Sequence, residues 1–280
     1  MAAYSILFAC FMMFLIILYN ISSAARYYLK FTFFTVSSLV NATIILPFMF
    51  LKPRNYENAL IPAYLCRACA KLIGMTWEVR GAHNIDNTTG NIVLLNHQSA
   101  IDLISLAILW PLMKEATVIS KRALFYLWPF GLCAWMWGTV FIDRNRAQQA
   151  QQTVNQTVLA VKSRKAKILL FPEGTRNSTD RLLPFKKGAF HAALDAGCPI
   201  QPVVVSHYYF IDARKPRFSS GHFIMTILPP VSTKGLTKAD LPQLVDKCYT
   251  LMQETYVETT SEALQKVSNN NEPSYKQKGL

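Results

Sequence analysis

Two short polar segments interrupt an otherwise apolar chain, and their side chains are of the types that carry out group transfer. Residues 96–102 supply the imidazole of His97 with a carboxylate close by. Residues 171–176 supply the carboxylate of Glu173, a tight turn and the guanidinium of Arg176. A general base, a group that orients it and an anion clamp are what moving an acyl group onto a phosphate-bearing alcohol would require.

The first segment lies between a strand-like apolar run at 91–95 and a helix-like run at 101–110. His97 is therefore predicted on a strand-to-helix turn, a common position for site residues in α/β proteins. Ser99 and Asp102 have the spacing of a helix capping box, which gives Asp102 a purely structural explanation. If His97 folds back over the first helical turn, Asp102 can instead accept from one ring nitrogen and orient the base. Both roles stay open on the residues alone.

The second segment follows a strand predicted over 167–171, which Pro172 ends. Gly174 allows a close backbone approach or a positive φ, and Arg176 offers a fork of donors for phosphate oxygens. A surface turn with an ordinary Glu–Arg ion pair explains the same residues.

Three further basic residues could line the same positively charged cleft. Lys186 opens a helix predicted over 186–196, and Lys121 and Arg144 each follow a strand-like run. The alternative for each of them is a solvated surface side chain.

The remaining pattern predicts an α/β domain with a mixed, largely parallel sheet flanked by helices. Apolar runs predict strands at 76–80, 91–95, 117–120, 139–143, 167–171, 201–206 and 223–228. Helices are predicted at 56–74, 100–110, 146–163, 186–196 and 241–265. The chain has no Gly-x-Ser-x-Gly elbow, phosphate-binding loop or zinc-protease motif, so a base acting directly on a hydroxyl is the simpler chemistry.

The N-terminus carries two uncharged apolar segments, at 3–19 and 31–51, joined by a link at 20–30. Each is long enough to reach across about one hydrocarbon thickness, which predicts an anchoring helical hairpin. A cleaved signal peptide is the alternative for the first segment, and a hairpin dipping into one leaflet is the alternative to spanning. More basic residues follow the second segment than lie in the link, so the rest of the chain is predicted in the cytosol.

A third apolar stretch, at 123–142, separates the two polar segments. A single crossing there would put the segments on opposite sides of the membrane, so it is predicted to be buried or membrane-apposed. Trp128, Trp135 and Trp137 within it suit a membrane interface.

The charge balance indicates which class of partner the protein binds. After residue 51 the chain has 27 basic and 16 acidic residues, a net charge of +11, which favours anionic partners. Without an Arg-rich aromatic stripe or a zinc-finger pattern, lipid is favoured over nucleic acid. The cysteines are predicted to be buried thiols without a disulfide framework.

The sequence predicts three parts: an anchor at 1–51, a catalytic domain at 52–267 and a disordered polar tail at 268–280.

In order and spacing, four segments together resemble the motifs of the glycerophospholipid acyltransferase family. The NHxxxxD motif matches residues 96–102, the second motif is similar to 138–144, FPEGTR matches 171–176, and a Pro-containing apolar strand matches 198–204. Four ordered motifs over about 110 residues are specific, whereas one alone is only a hypothesis. Further similarity over residues 52–260 is to the alpha and beta types of 1-acylglycerol-3-phosphate acyltransferase.

The resemblance implies the glycerolipid acyltransferase fold and transfer of a fatty acyl group from acyl-CoA to the sn-2 hydroxyl of lysophosphatidic acid. It implies His97 as general base, Asp102 as its orienter, and Glu173 in positioning the glycerol. It places Gly174 and Thr175 in the substrate-binding turn. For the acceptor phosphate it implies Arg176, with Arg144 and Lys121, and Lys186 nearby.

The resemblance also implies no cofactor and no metal, a membrane-lipid environment and the endoplasmic reticulum. Another lysophospholipid acceptor, or an inactive lipid-binding protein on the same scaffold, are the alternatives.

Overall fold

The computed structural model describes residues 2–142, 158 and 161–271. The helices are α1 (Ala2–Ile21), α2 (Ser23–Met49), α3 (Leu60–Leu72), α4 (Asp102–Leu109), α5 (Phe130–Met136), α6 (Gly188–Ala196) and α7 (Leu241–Asn271). The strands are β1 (Met75–Arg80), β2 (Asn91–Leu95), β3 (Ala116–Lys121), β4 (Val140–Ile142), β5 (Lys167–Leu170), β6 (Ile200–Val205), β7 (Ile211–Asp212), β8 (Arg217–Phe218) and β9 (Gly221–Ile227).

Seven strands form one sheet in the order β1-β9-β6-β2-β5-β3-β4. From β6 to β4 the neighbouring strands are parallel, whereas β9 runs antiparallel to β6 and pairs in parallel with β1. Five strands therefore end at the same edge of the sheet, the carboxyl edge. The prediction of a mixed, largely parallel sheet is confirmed.

Helices cover both faces of this sheet, which explains why its central strands are apolar throughout. In β2, Val93 and Leu95 pack into the cluster that contains α3 and α4, while Ile92 and Leu94 pack against α6 and α7. All four side chains are fully buried. Successive side chains of β2 thus pack alternately against the two helix layers.

The predicted strands are present, with ends shifted by at most two residues. The predicted helix at 56–74 is a short 3-10 turn, Tyr56–Ala59, followed by α3. The helix predicted at 146–163 falls largely outside the described residues. The hairpin of β7 and β8 was not predicted, because two-residue strands are too short to show periodicity.

The predicted link at 20–30 is wrong. Only Ser22 separates α1 from α2, and its Oγ accepts the Ala25 amide at 3.2 Å as an N-cap. Arg26 donates to the carbonyls of Tyr19 and Asn20, which satisfies the free carbonyls at the end of α1. The two charges assigned to a link, Arg26 and Lys30, thus belong to α2.

Both N-terminal helices are long and apolar enough to cross a membrane by length and composition. The described side chains of α1 are almost wholly exposed. In contrast, α2 buries one face against the rest of the chain, including Phe34, Ala42, Ile45 and Met49. The Cys133 thiol of α5 donates to the Ala42 carbonyl at 3.3 Å, so α2 packs directly on the domain.

The third apolar stretch does not form one long helix. It consists of a 3-10 turn at Arg122–Tyr126, helix α5 and strand β4. Trp128 is 69% exposed and Trp135 is 38% exposed, as a membrane interface would require. Trp137 differs, because its ring packs against Trp110 and Phe130 and its Nε1 donates to Thr139.

At the other end of the chain, α7 continues through Asn271. Residues 268–271 are therefore helical where the sequence predicted the start of a polar tail. Residues 272–280 lie outside the described residues.

Candidate active site

The turn after β2 is held to the neighbouring strand β6 by two buried amide side chains. Asn96 donates to the Val205 carbonyl at 2.9 Å and accepts the Val205 amide at 2.8 Å. Gln98 donates to the carbonyls of Val205 and Ser206 and accepts the Tyr208 amide. These contacts continue the sheet pairing past the end of β2, so the residue between them, His97, sits on a rigid support.

His97 and Asp102 form a direct pair. The distance from His97 Nδ1 to Asp102 Oδ2 is 2.7 Å, with the histidine side chain 20% exposed and the aspartate 4% exposed. A carboxylate only accepts, so Nδ1 carries the hydrogen and Nε2 is left as the basic nitrogen. The predicted contact between His97 and Asp102 is thus present.

The same carboxylate oxygen also caps the turn before α4. Asp102 Oδ2 accepts the amides of Gln98 at 2.7 Å and Ser99 at 3.0 Å. Asp102 thus makes the bond back to Ser99 that a capping box requires, but the Ser99 hydroxyl accepts from Ile101 rather than from Asp102. One oxygen of Asp102 thus makes both the capping contacts and the contact with His97.

Glu173 ties the two polar segments to each other. Its Oε1 accepts the His97 amide at 2.8 Å, and its Oε2 accepts the Leu183 amide at 2.9 Å. The side chain is buried, and burial raises the pKa of this carboxyl above its ordinary value although both amides act in the opposite direction. In return, the Asn177 amide donates to the His97 carbonyl at 2.8 Å.

The ring of Phe171 stacks on the imidazole of His97. Their centroids are 4.0 Å apart, with 22° between the planes. Phe171 follows β5, and His97 follows β2, its parallel neighbour. One face of the imidazole ring of His97 is therefore covered by the residue that follows the neighbouring strand.

The turn at Gly174 carries the residues of the second segment that are predicted to bind the substrate. Gly174 has φ +70°, and a Cβ there would lie 2.8 Å from Cε of Lys186, so the turn needs glycine for its backbone and for the side chain that crosses it. Thr175 and Arg176 follow it with exposed side chains. Lys186 does not open α6 as predicted: the helix begins at Gly188, and the Lys186 amide donates to the Pro172 carbonyl.

Two other predicted site residues are less closely placed. Lys121 ends β3, next to β5, and its exposed side chain starts from the same carboxyl edge. Arg144 lies outside the described residues.

Sequence reasoning missed a buried hydroxyl pair behind Asp102. Ser105 Oγ and Tyr208 OH lie 2.8 Å apart, and both side chains are buried. Burial raises the pKa of Tyr208 well above its ordinary value, and the charge of Asp102 acts in the same direction. No spacing rule could have paired these residues, because they lie 103 residues apart in the chain.

Within residues 2–142, 158 and 161–271, no three His, Cys, Asp or Glu side chains are grouped so that they could hold a metal ion. The six cysteines are unpaired, and Cys133, Cys198 and Cys248 are buried. The groups assembled at the carboxyl edge are therefore a paired imidazole, an exposed guanidinium and nearby ammonium groups.

Comparison with known proteins places this site in a family. A family model described as Acyltransferase matches residues 76–206, which include both polar segments. The chain is 37% identical to 1-acyl-sn-glycerol-3-phosphate acyltransferase alpha of Mus musculus, over 87% of this chain and 85% of that protein. It is 34% identical to 1-acyl-sn-glycerol-3-phosphate acyltransferase beta of Homo sapiens, over 89% of this chain and 90% of that protein.

The fold is also similar to a solved structure. The crystal structure of the 1-acyl-sn-glycerophosphate (LPA) acyltransferase PlsC from Thermotoga maritima matches with a TM-score of 0.61 and 22% identity, over 82% of this chain and 97% of that one. At this identity the match supports the fold alone. Given the sequence relatives, the chain belongs to the acyltransferase family, in which its matches carry the name 1-acyl-sn-glycerol-3-phosphate acyltransferase.

Proposed function

We propose that this protein transfers a fatty acyl group from acyl-CoA to the sn-2 hydroxyl of lysophosphatidic acid, giving phosphatidic acid and CoA. The observation that carries the proposal is the His97–Asp102 pair, tied through Glu173 to the turn that bears Arg176. The names of the relatives support the same acceptor.

The geometry suggests a direct mechanism. Nε2 of His97 takes the proton of the acceptor hydroxyl as its oxygen attacks the thioester carbonyl, and Asp102 stabilises the imidazolium that forms. The new carbon–oxygen bond replaces the carbon–sulfur bond, and the departing CoA sulfur takes the proton back from His97. Each step is a proton or acyl transfer, so no redox partner is needed.

The polar residues of the second segment have two proposed tasks: binding the acceptor phosphate and holding the two segments in place. Arg176 is exposed in the turn that Glu173 ties to His97 and would hold the acceptor phosphate, with Lys186 and Lys121 adding positive charge. Both oxygens of Glu173 already accept backbone amides, so we assign Glu173 to holding the two segments in place rather than to direct contact with the glycerol.

The surroundings suit amphiphilic, anionic substrates. CoA and the acceptor phosphate are both anionic, and the chain after residue 51 carries a net charge of +11. Two apolar helices precede the domain, in keeping with a membrane protein. We propose that the protein lies in the endoplasmic reticulum membrane with its catalytic domain in the cytosol. The excess of basic residues after α2 supports the cytosolic orientation.

The test is an acyl-transfer assay on the full chain, purified in detergent and given labelled oleoyl-CoA. Lysophosphatidic acid should be converted to phosphatidic acid, and lysophospholipids with larger head groups should react more slowly. A preference for another lysophospholipid would replace the acceptor, and no transfer to any of them would leave a lipid-binding protein in place of the enzyme.

Arg176→Ala is expected to raise the KM for lysophosphatidic acid about 10- to 100-fold, because one charged hydrogen-bonding group to the phosphate is lost. The KM for acyl-CoA should change little. Arg181→Ala is the matched control, since Arg181 is an exposed arginine of the same loop whose backbone carbonyl accepts from Asn177 and Thr179 and is kept in the variant. Equal effects on the two KM values would remove the phosphate assignment from Arg176.

A further inference from the structure

One face of the last helix, α7, contacts the loop that carries Arg176. Tyr249, Gln253 and Tyr256 follow each other at spacings of four and three residues, which places them on one side of the helix. Tyr256 is buried, and Tyr249 and Gln253 are half-buried. This face lies about 75 residues further along the chain than the loop, so the contact comes from the tertiary fold.

Each of the three side chains makes a hydrogen bond to the loop backbone. Tyr249 donates to the Leu182 carbonyl at 3.0 Å, and Gln253 accepts the Leu182 amide at 2.8 Å. Tyr256 donates to the Thr179 carbonyl at 2.8 Å. Both backbone groups of Leu182 are thus satisfied by side chains of α7, in a loop without regular secondary structure of its own.

The same loop is tied at two further points, once to His97 and once to Glu173. The Asn177 amide donates to the His97 carbonyl, and the Leu183 amide donates to Glu173. Arg176 directly precedes Asn177, which bonds His97. The contacts with α7 follow further along the loop, at Thr179 and Leu182, so the loop is held both at the active site and at α7. Removing the α7 contacts would leave the loop attached to the active site but free to change its angle to it.

The next turn of α7 extends this arrangement to the neighbouring loop. Thr260 Oγ1 accepts the amide of His207, which follows β6, and His207 Nδ1 lies 3.1 Å from the Tyr256 hydroxyl. Burial raises the pKa of Tyr256 above its ordinary value, so its hydroxyl stays protonated and able to donate. The helix thus fixes two loops at the carboxyl edge.

We propose that the α7 face formed by Tyr249, Gln253 and Tyr256 sets the affinity for the acceptor phosphate, by holding the loop of Arg176 in its binding position. These three are positioning residues, since they act through the loop and not on the substrate. The proposal rests on the phosphate role of Arg176 proposed above. It predicts that weakening this face impairs acceptor binding more than it impairs acyl transfer.

Gln253 gives the most specific test, because its side-chain oxygen accepts a hydrogen bond from the Leu182 amide. Gln253→Met keeps the length of the side chain but removes the oxygen, and it is expected to raise the KM for lysophosphatidic acid about fivefold with kcat and the KM for acyl-CoA nearly unchanged. Gln253→Glu keeps an acceptor oxygen and should restore the KM to within about twofold of the unchanged protein. Thr255→Val is the control, since Thr255 is buried on the same helix but donates to Leu251 of its own helix.

Two further measurements separate this proposal from the proposed function. Equilibrium binding of labelled lysophosphatidic acid in detergent, without acyl-CoA, should weaken in Gln253→Met by the same factor as the KM. Amide hydrogen exchange of residues 177–183 should accelerate in that variant and not in the control.

If the unchanged protein transfers no acyl group, the proposed reaction fails while the binding measurement still decides the role of α7. Faster exchange with unchanged lysophosphatidic acid binding would overturn the positioning role, and so would equal losses in Gln253→Met and Gln253→Glu.

Discussion

Replacing His97 with alanine is expected to lower kcat for acyl transfer by about 10²–10⁴-fold, the usual contribution of a general base. The KM for lysophosphatidic acid should change little, because the phosphate is assigned to Arg176 and not to the imidazole. The variant should fold, since the backbone amide and carbonyl of His97, and not its ring, bond Glu173 and Asn177. Acyl transfer from labelled oleoyl-CoA measures the loss.

The control for that variant is His83→Ala, which removes an exposed imidazole in the 3-10 turn after β1, outside both polar segments. It should keep full activity and the same thermal unfolding temperature. A His97→Ala protein that retained half of the activity of the unchanged protein would show that the base lies elsewhere.

Asp102→Asn is expected to lower kcat by about 10²-fold or more while leaving the unfolding temperature nearly unchanged. The amide oxygen of asparagine can still accept the amides of Gln98 and Ser99, so the cap before α4 is kept. What is lost is the negative charge 2.7 Å from Nδ1, which stabilises the imidazolium during the reaction. Steady-state kinetics and thermal unfolding of the same preparation separate the two effects.

Asp102→Ala completes the comparison because it removes the cap as well. Its unfolding free energy should fall by about 1 kcal/mol, the usual cost of a lost helix cap, and kcat should fall at least as far as in Asp102→Asn. If Asp102→Asn were fully active, Asp102 would be a capping residue and His97 would need no charged partner.

The contact between His97 and Asp102 could be predicted because local rules place both residues. An apolar run at 91–95 that is followed by a helical pattern puts His97 on a turn, and the capping spacing puts Asp102 in the first turn of the helix. Parallel strands then bring the second segment to the same edge of the sheet as the first. The sheet order itself was not predicted, and only that order makes Phe171 a neighbour of His97.

The supporting residues could not be predicted because they act across long separations in the chain. Gln98 bonds the end of β6, and Gln253 bonds a loop far from it in sequence, so neither residue has a local pattern that reveals its partner. The boundary of α2 was missed for a different reason. Arg26 and Lys30 suggested a polar link, whereas Arg26 caps α1 and Lys30 lies over the ring of Phe218.

The buried face of α2 has a consequence for how this protein forms. Phe34 packs into the core shared with β2 and α4, while Ala42, Ile45 and Met49 pack with Cys133 and Met136 of α5. The proposed anchor is therefore also an internal wall of the catalytic domain, and its other sides are left for lipid. Under the proposed membrane location, removing α2 to release the protein from the bilayer would also remove part of the core of the domain.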